Sequence, residues 1–403
     1  MYDPQSPTLL SGEALKDPYA VYEDMRRQAP VYYDRLAHAW CILTFDGVRQ
    51  VLKDADGFSS DHLRERAEPV LGARVLAQMT GSEHDEKKVA TLRGLAEIAM
   101  DGYYLPAVEH TMSRLWEKAE GKTSIDFVSE IANPFAIEVT CRLIGIGQRW
   151  QNRVVPWNRS VVEFITLLQK EPHDMSRRLA DAGYFRAFIL RLLEVRRRQP
   201  RRDLLSFLAR QGSEYGFSDN EIVALALNIF LAASEPLDKV MSYMVFEMLN
   251  MPDVFATVKE NPREVSKFLV EVLRLHPPVQ IIPRISVGEQ TVEGVSIPAG
   301  SMVYCLIGAA HRDPRQFKDP GVFVLGREDN LIRSAFSPSA QHVAFGSGLH
   351  FCIGSMLARR QLEAAFRVSM DYLDHWQLAA DPLEERGLYT RGPSHLRLER
   401  TRS

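Results

Sequence analysis

The sequence predicts a mainly α fold with a minority of β structure, carried by one domain over residues 1–403. Three observations predict it. Helical periodicity dominates from Glu83 to about Arg197. A capping box, Ser218-Asp219-Asn220-Glu221, opens an apolar run that reads as one central helix of about thirty residues, well above the usual ~10–14. The strand-like runs are short and joined by Gly/Pro turns.

In chain order, residues 19–29 read as a helix. Alternation around Val31–Tyr33 and Trp40–Phe45 predicts a small antiparallel sheet on the N-terminal side. Asp46–Lys53 reads as a short helix, and residues 55–80 as irregular. Turns near Gly102, Gly121 and Gly145 divide the helical stretch that follows. Met251-Pro252 ends the central helix, because proline disfavours helical backbone in the residue before it. A helix ending in EVLRLHPP comes next, then short strands in IIPRISV and TVEGVSIPAGSMVYCLIGA. Residues 313–345 form a long irregular stretch, which in a compact domain usually serves a function. A last helix is predicted from Gly354 to Trp376, then two strands, HWQLAAD and SHLRLER, around GLYTRGP.

Composition narrows the function class. Hydrophobic residues make up 45% of the chain, charged residues 25%, and the net charge is -3. That balance suits a globular core and gives no basic surface for nucleic acid. The N-terminal residues are polar and charged and carry no apolar run, so neither a signal peptide nor a membrane anchor is expected. The four cysteines, Cys41, Cys141, Cys305 and Cys352, show no disulfide-like spacing, which points to a reducing, cytoplasmic setting. Three lie in apolar runs and read as small core residues.

Cys352 differs. It sits in Phe345-Gly346-Ser347-Gly348-Leu349-His350-Phe351-Cys352-Ile353-Gly354, just ahead of a helix. A sulfur there meets the positive end of the helix dipole and unpaired backbone N–H groups, and both favour thiolate. Glycines let the backbone bend around it and let a flat ligand approach. A lone glycine-rich turn could equally hold a reactive or merely buried cysteine.

The full string resembles the cysteine loop of the cytochromes P450 at every fixed position. The resemblance implies haem b as cofactor, Cys352 as the iron ligand, and a long central helix over the haem. It implies haem contacts from Phe345, Gly346, Gly354, His350, Arg284, His84, Lys88 and Ala233. Lys88 stands where the family pattern His84-x-x-x-Arg has arginine, so the charge is kept and the bidentate fork lost. Glu271 and Arg274 resemble the family's E-x-x-R element, with Arg327 as its third member.

The central helix departs from the family. The family reads A-G-x-[D/E]-T there; this chain reads Ala232-Ala233-Ser234-Glu235-Pro236. A proline inside a helix removes a donor and clashes with the carbonyl four residues back, so Pro236 should kink the helix at Ala232. The kink is either structural or an opening of the oxygen-binding groove. In the second case protons arrive through Glu235, Ser234, water or substrate.

More local strings, among them Arg66-Ala-Glu-Pro69, Leu231–Pro236 and Gly387–Pro393, resemble the bacterial P450s that oxidise cyclo-dileucine to pulcherriminic acid. The resemblance implies a cyclic dipeptide, N-hydroxylated and dehydrogenated. Its pocket is expected from Gln78, Met79, Phe164, Thr166, Ala232, Val279, Gln280, Ile281, Ile282, Leu388, Tyr389 and Thr390. The partners implied are a small-molecule substrate, O2, and a ferredoxin or flavodoxin with its reductase. Arg359 and Arg360 are either a docking face for that protein or a solvated helix face. The alternatives are a P450 tailoring another secondary metabolite, peroxide-driven turnover, and a haem sensor without substrate chemistry.

Overall fold

The computed structural model describes residues 6–100, 102–166 and 172–401. Parts of the long helical stretch predicted above, residues 101 and 167–171, lie outside the described residues. Helices dominate. The helices Gly81–Met100, Tyr104–Glu117, Asn133–Ile144, Gln151–Thr166 and Pro172–Arg198 fill that stretch, and the first begins two residues before Glu83.

At the centre runs the helix Asp219–Asn250, 32 residues long. Its capping box is formed: Ser218 Oγ accepts from Glu221 N at 3.3 Å, and Glu221 Oε2 accepts from Ser218 N at 2.9 Å. The Lys87 ammonium, itself buried, reaches Glu221 Oε1 at 2.5 Å and ties this start to the helix Gly81–Met100. Two turns of mostly apolar side chains from Ile222 to Phe230 are buried, and burial of that area is the main driving force holding the helix in place. Pro236 does not interrupt it; helical backbone continues on both sides. Among the described residues it is the one helix long and apolar enough to cross a membrane, and more than half of that window is buried inside the protein.

The β structure is more dispersed than its sequence pattern suggested. Val31–Asp34 pairs antiparallel with Ala39–Ile42, and Phe45 belongs to the next helix, because Thr44 Oγ1 caps Gly47 N at 3.2 Å. This hairpin is the edge of a five-stranded sheet. Ala39–Ile42 lies parallel to Met302–Leu306, which pairs antiparallel with Ile281–Ser286, and Phe58–Ser59 closes the far edge. The last helix ends at Leu373, and Trp376 starts a strand. The tail is four strands, not two, split between two sheets: Glu384–Arg386 pairs with Gly392–His395, while Arg397–Arg400 lies between Ser124–Asp126 and Trp376–Leu378.

Candidate active site

The cysteine loop is closed by its own backbone. Cys352 N donates to Phe345 O at 3.0 Å and Gly346 N to Val343 O at 2.9 Å. Gly348 (φ +71°) lies against the end of the helix Phe45–Lys53; a Cβ there would stand 2.7 Å from Leu52 O. The Phe345 ring packs beside Phe336, His342 and Phe351. The helix Ser355–Leu373 starts directly after Gly354, and Ser355 Oγ anchors it to Phe336 O at 3.1 Å. Cys41, Cys141 and Cys305 are buried, whereas Cys352 is open. Although the sulfur is open on one side, the protein packed around it strips enough hydration to push the Cys352 thiol up, while the N–H groups of Gly354 and Ser355 pull it down. Helix-end donors alone therefore leave the thiol above its ordinary range, and a neighbouring cation is what would make it a thiolate.

Behind the loop lies a buried ion cluster. Arg274 grips Glu271 with two bonds, Nη2 to Oε1 at 2.7 Å and Nε to Oε2 at 2.9 Å. Arg327 Nε adds a third at 2.7 Å. Both guanidiniums also donate to carbonyls of the irregular stretch: Arg274 to His311, Pro320 and Val322, Arg327 to Lys318, Asp319 and Val322. Charges this deep are tolerated only when so fully bonded.

A second group of basic side chains gathers beside the loop. His84 and His350 meet edge to face, centroids 5.2 Å apart. Lys88 Nζ donates to Leu349 O at 2.6 Å. Burial, then the charges of Arg284, His84 and Lys88, hold the His350 imidazole down at about 4. Burial also lowers Arg284 and Lys88. His62 joins them: burial, Arg284 and Arg66 hold it at about 3, and its Nδ1 is buried without a partner. Residues 55–80, expected to be irregular, contain the short helices His62–Arg66 and Glu68–Leu71; helices of one turn are too short for periodicity to mark, so nothing in the sequence singles out His62 or Arg66. Ile282 shares the strand face of Arg284, and its Cδ1 comes within 3.9 Å of where a Cβ on Gly346 would stand.

The central helix runs on unbroken through Pro236, and its exposed middle falls where the sequence departs from the family. Between Leu231 and Pro236 only Ser234 is buried, and Ala232 is exposed although it lies mid-helix. Ser234 Oγ donates to Phe230 O at 2.7 Å, so its hydroxyl remains free only as an acceptor. Glu235 Oε1 accepts from Thr390 Oγ1 of the tail turn at 2.7 Å.

The remaining predicted pocket residues divide. Val279 pairs with Thr390, and Gln280 N donates to Tyr389 O, so these segments meet. The Gln280 side chain points the other way, donating to Tyr19 Oη and Pro277 O. Ile281 and Leu388 are buried in a small core with Leu9 and Tyr22, since alternate strand residues face opposite sides. Gln78 holds its own loop, accepting from Val75 N and donating to Glu68 Oε1. Met79 and Phe164 are buried in the main core, and Thr166 donates to Val162 O. For Gln78, Gln280, Ile281 and Leu388 the fold thus places the side chain in structural packing, which residue type alone could not reveal. Arg359 pairs with Glu363 at 2.8 Å and Arg360 donates to Ala99 O at 3.0 Å, so neither is a freely solvated charge.

The family model described as Cytochrome P450 matches residues 152–384, more than half of the chain. The chain is a cytochrome P450. Pulcherriminic acid synthase of Bacillus subtilis (strain 168) is 35% identical to it over 393 residues, 96% of each chain. The biotin biosynthesis cytochrome P450 of the same strain is 26% identical over 380 residues, 92% of each. The solved structure of P450BioI with hexadec-9Z-enoic acid ligated acyl carrier protein superposes with a TM-score of 0.85 at 24% identity, covering 96% of this chain and 100% of the other. CalO2 gives 0.84 at 25%, covering 99% and 98%.

This P450 is therefore a haem-thiolate monooxygenase, with haem b as its cofactor, taking a small-molecule substrate, O2 and electrons from a redox partner. The residues present fit that group. An open sulfur at the glycine-lined turn suits an iron ligand. Arg284, His350, His84, Lys88 and His62 gather here; burial holds His350, His62, Arg284 and Lys88 below their ordinary ranges, and two propionate carboxylates would offset that cost. The bound group activates O2, helped by the electron density a thiolate supplies. In that arrangement the cysteine loop would hold the sulfur, the basic cluster would anchor the carboxylates, and the exposed middle of the central helix would face the substrate.

Proposed function

We propose that this P450 oxidises a cyclic dipeptide of the cyclo-dileucine type, by N-hydroxylation and dehydrogenation toward a pulcherriminic-acid-type product. The observation that carries this reading is the full-length similarity to pulcherriminic acid synthase, in both directions and above that of the other relatives named. The exposed middle of the central helix supports it. Alanines at 232 and 233 leave room for branched aliphatic arms, and the Glu235–Thr390 pair is a polar spot for an amide. Each N-hydroxylation balances as N–H + O2 + two electrons + two protons giving N–OH + H2O, and each ring dehydrogenation as HC–CH + O2 + two electrons + two protons giving C=C + two H2O. The electrons come from a ferredoxin or flavodoxin with its reductase in the cytoplasm. The protons pass through Glu235, with Pro236 opening the groove and Ser234 accepting a hydrogen bond.

Spin-state titration against a panel of cyclic dipeptides, followed by mass analysis of turnover products, tests the reading. Cyclo-dileucine or a close aliphatic relative should shift the Soret band and gain oxygen. Silence across the panel, with the thiolate signature of the reduced CO complex intact, would assign this P450 to another metabolite.

A further inference from the structure

Glu235 is gripped from two sides. Thr390 donates to its Oε1 at 2.7 Å, and the Lys239 ammonium, one turn along the same helix, lies 3.4 Å from that oxygen. Lys239 also donates to the Glu235 carbonyl at 3.2 Å and pairs with Asp238 at 3.4 Å; Asp238 accepts from Asn133 Nδ2 at 3.2 Å. These groups are largely sequestered from solvent, so their geometry is set by one another and not by bulk water.

Thr390 has little freedom to leave. The tail turn needs Gly387 at φ +96°, since a Cβ there would lie 1.8 Å from Thr390 O. Its backbone is bound to the segment after the buried ion cluster: Val279 bridges Thr390, Gln280 N donates to Tyr389 O at 2.9 Å, and Arg391 N to Pro278 O at 2.8 Å. The Arg391 side chain, 1% exposed, then fastens the turn to Leu15 O, Lys16 O and Glu385. On the other side Gly392 lets the tail close on Lys239; a Cβ at 392 would stand 2.4 Å from Lys239 Cγ. A hydroxyl held this firmly against a carboxylate fixes which way the carboxylate faces.

We propose that Thr390 is a positioning residue for Glu235: the tail turn supplies the distal helix with a hydroxyl that Pro236 cannot, and so fixes the orientation of the carboxylate. The proposal rests on Glu235 as the proton-handling group. Around Glu235 the charged and titratable neighbours are Lys239 and Asp238 from its own helix and Tyr389 from the tail. Lys239 stays charged, because its two carboxylates outweigh burial. A donor to one carboxylate oxygen holds that oxygen in place, so its removal frees the side chain to turn.

Infrared difference spectra of the haem-loaded protein, with Glu235→Gln assigning the band, read the hydrogen bonding of this carboxyl directly and need no substrate. Thr390→Val should shift the Glu235 band, and Thr390→Ser should return it. With electrons supplied by a surrogate ferredoxin, its reductase and NADPH, Thr390→Val should divert several-fold more NADPH to hydrogen peroxide, with the Ser variant again restoring the ratio. An unchanged Glu235 band in Thr390→Val overturns the proposal. Normal coupling in Glu235→Gln instead removes the proton role of Glu235, and the two failures are distinct.

Discussion

Arg327 Nε and Arg274 Nη2 both donate to the same oxygen of Glu271, each at 2.7 Å. Glu271 lies on the helix Val265–Leu275, Arg327 in the irregular stretch 56 residues later. The pair pins that stretch to the helix ahead of the cysteine loop, so the strength of this site decides how well the loop is held.

Removing one partner should therefore be severe. Arg327→Met or Glu271→Gln leaves a buried charge short of its counter-charge, a loss of about 3–5 kcal/mol. Urea denaturation should show it as a lowered midpoint, and purified protein should carry less haem per chain. A loss under 1 kcal/mol in both variants would mean that the backbone carbonyls alone satisfy the remaining groups.

Gly348 and Gly300 offer a controlled comparison. Both have left-handed backbone, φ +71° and +73°. At Gly300 nothing lies within 4 Å of a new Cβ, whereas at Gly348 the Leu52 carbonyl and Lys53 Cα stand 2.7 Å away. Gly300→Ala should cost about 1–2 kcal/mol for the conformation alone. Gly348→Ala should cost clearly more and loosen the loop, seen as a lower thermal midpoint and faster haem loss to apomyoglobin. Equal effects at the two positions would show that the helix end yields freely.

Acid stability should report two buried imidazoles. His311 Nδ1 donates to Arg274 O, and its Nε2 accepts from Val343 N, both at 2.9 Å, which requires the neutral ring. Burial, then His342 and Arg274, hold His311 well below the ordinary histidine range; burial holds His342 at about 4. The unfolded chain takes up protons at these sites below about pH 6.5 and the folded chain does not. Stability should thus be full above pH 6.5 and fall toward pH 4, by up to about 1.4 kcal/mol per unit for each group. His311→Gln should flatten that slope between pH 6 and 4; an identical slope would place the acid sensitivity elsewhere.

The cysteine loop was legible as a string because its demands are local: glycines for the bends, a sulfur at a helix start. The central helix was legible for the same reason, through a capping box and an unbroken apolar run. Strand boundaries were harder. Trp40–Phe45 alternates like a strand, yet Thr44 caps a helix that takes Phe45, and a single side-chain hydrogen bond decides it. The tail residues carry no mark of which sheet they join, since Arg397–Arg400 finds its partners at Ser124–Asp126 and Trp376–Leu378.

By itself the sequence determined the glycine-framed cysteine loop ahead of a helix, the long central helix, and the break from the family pattern at Pro236, because each depends on residues within a few positions of one another. Only the tertiary structure decided which strand faces point inward, that His62 and Arg66 join the basic cluster, and that Thr390 reaches Glu235 across 155 residues. Such meetings depend on how packed elements cross, and a hydrogen bond of 2.7 Å leaves no trace in the spacing of the residues that make it.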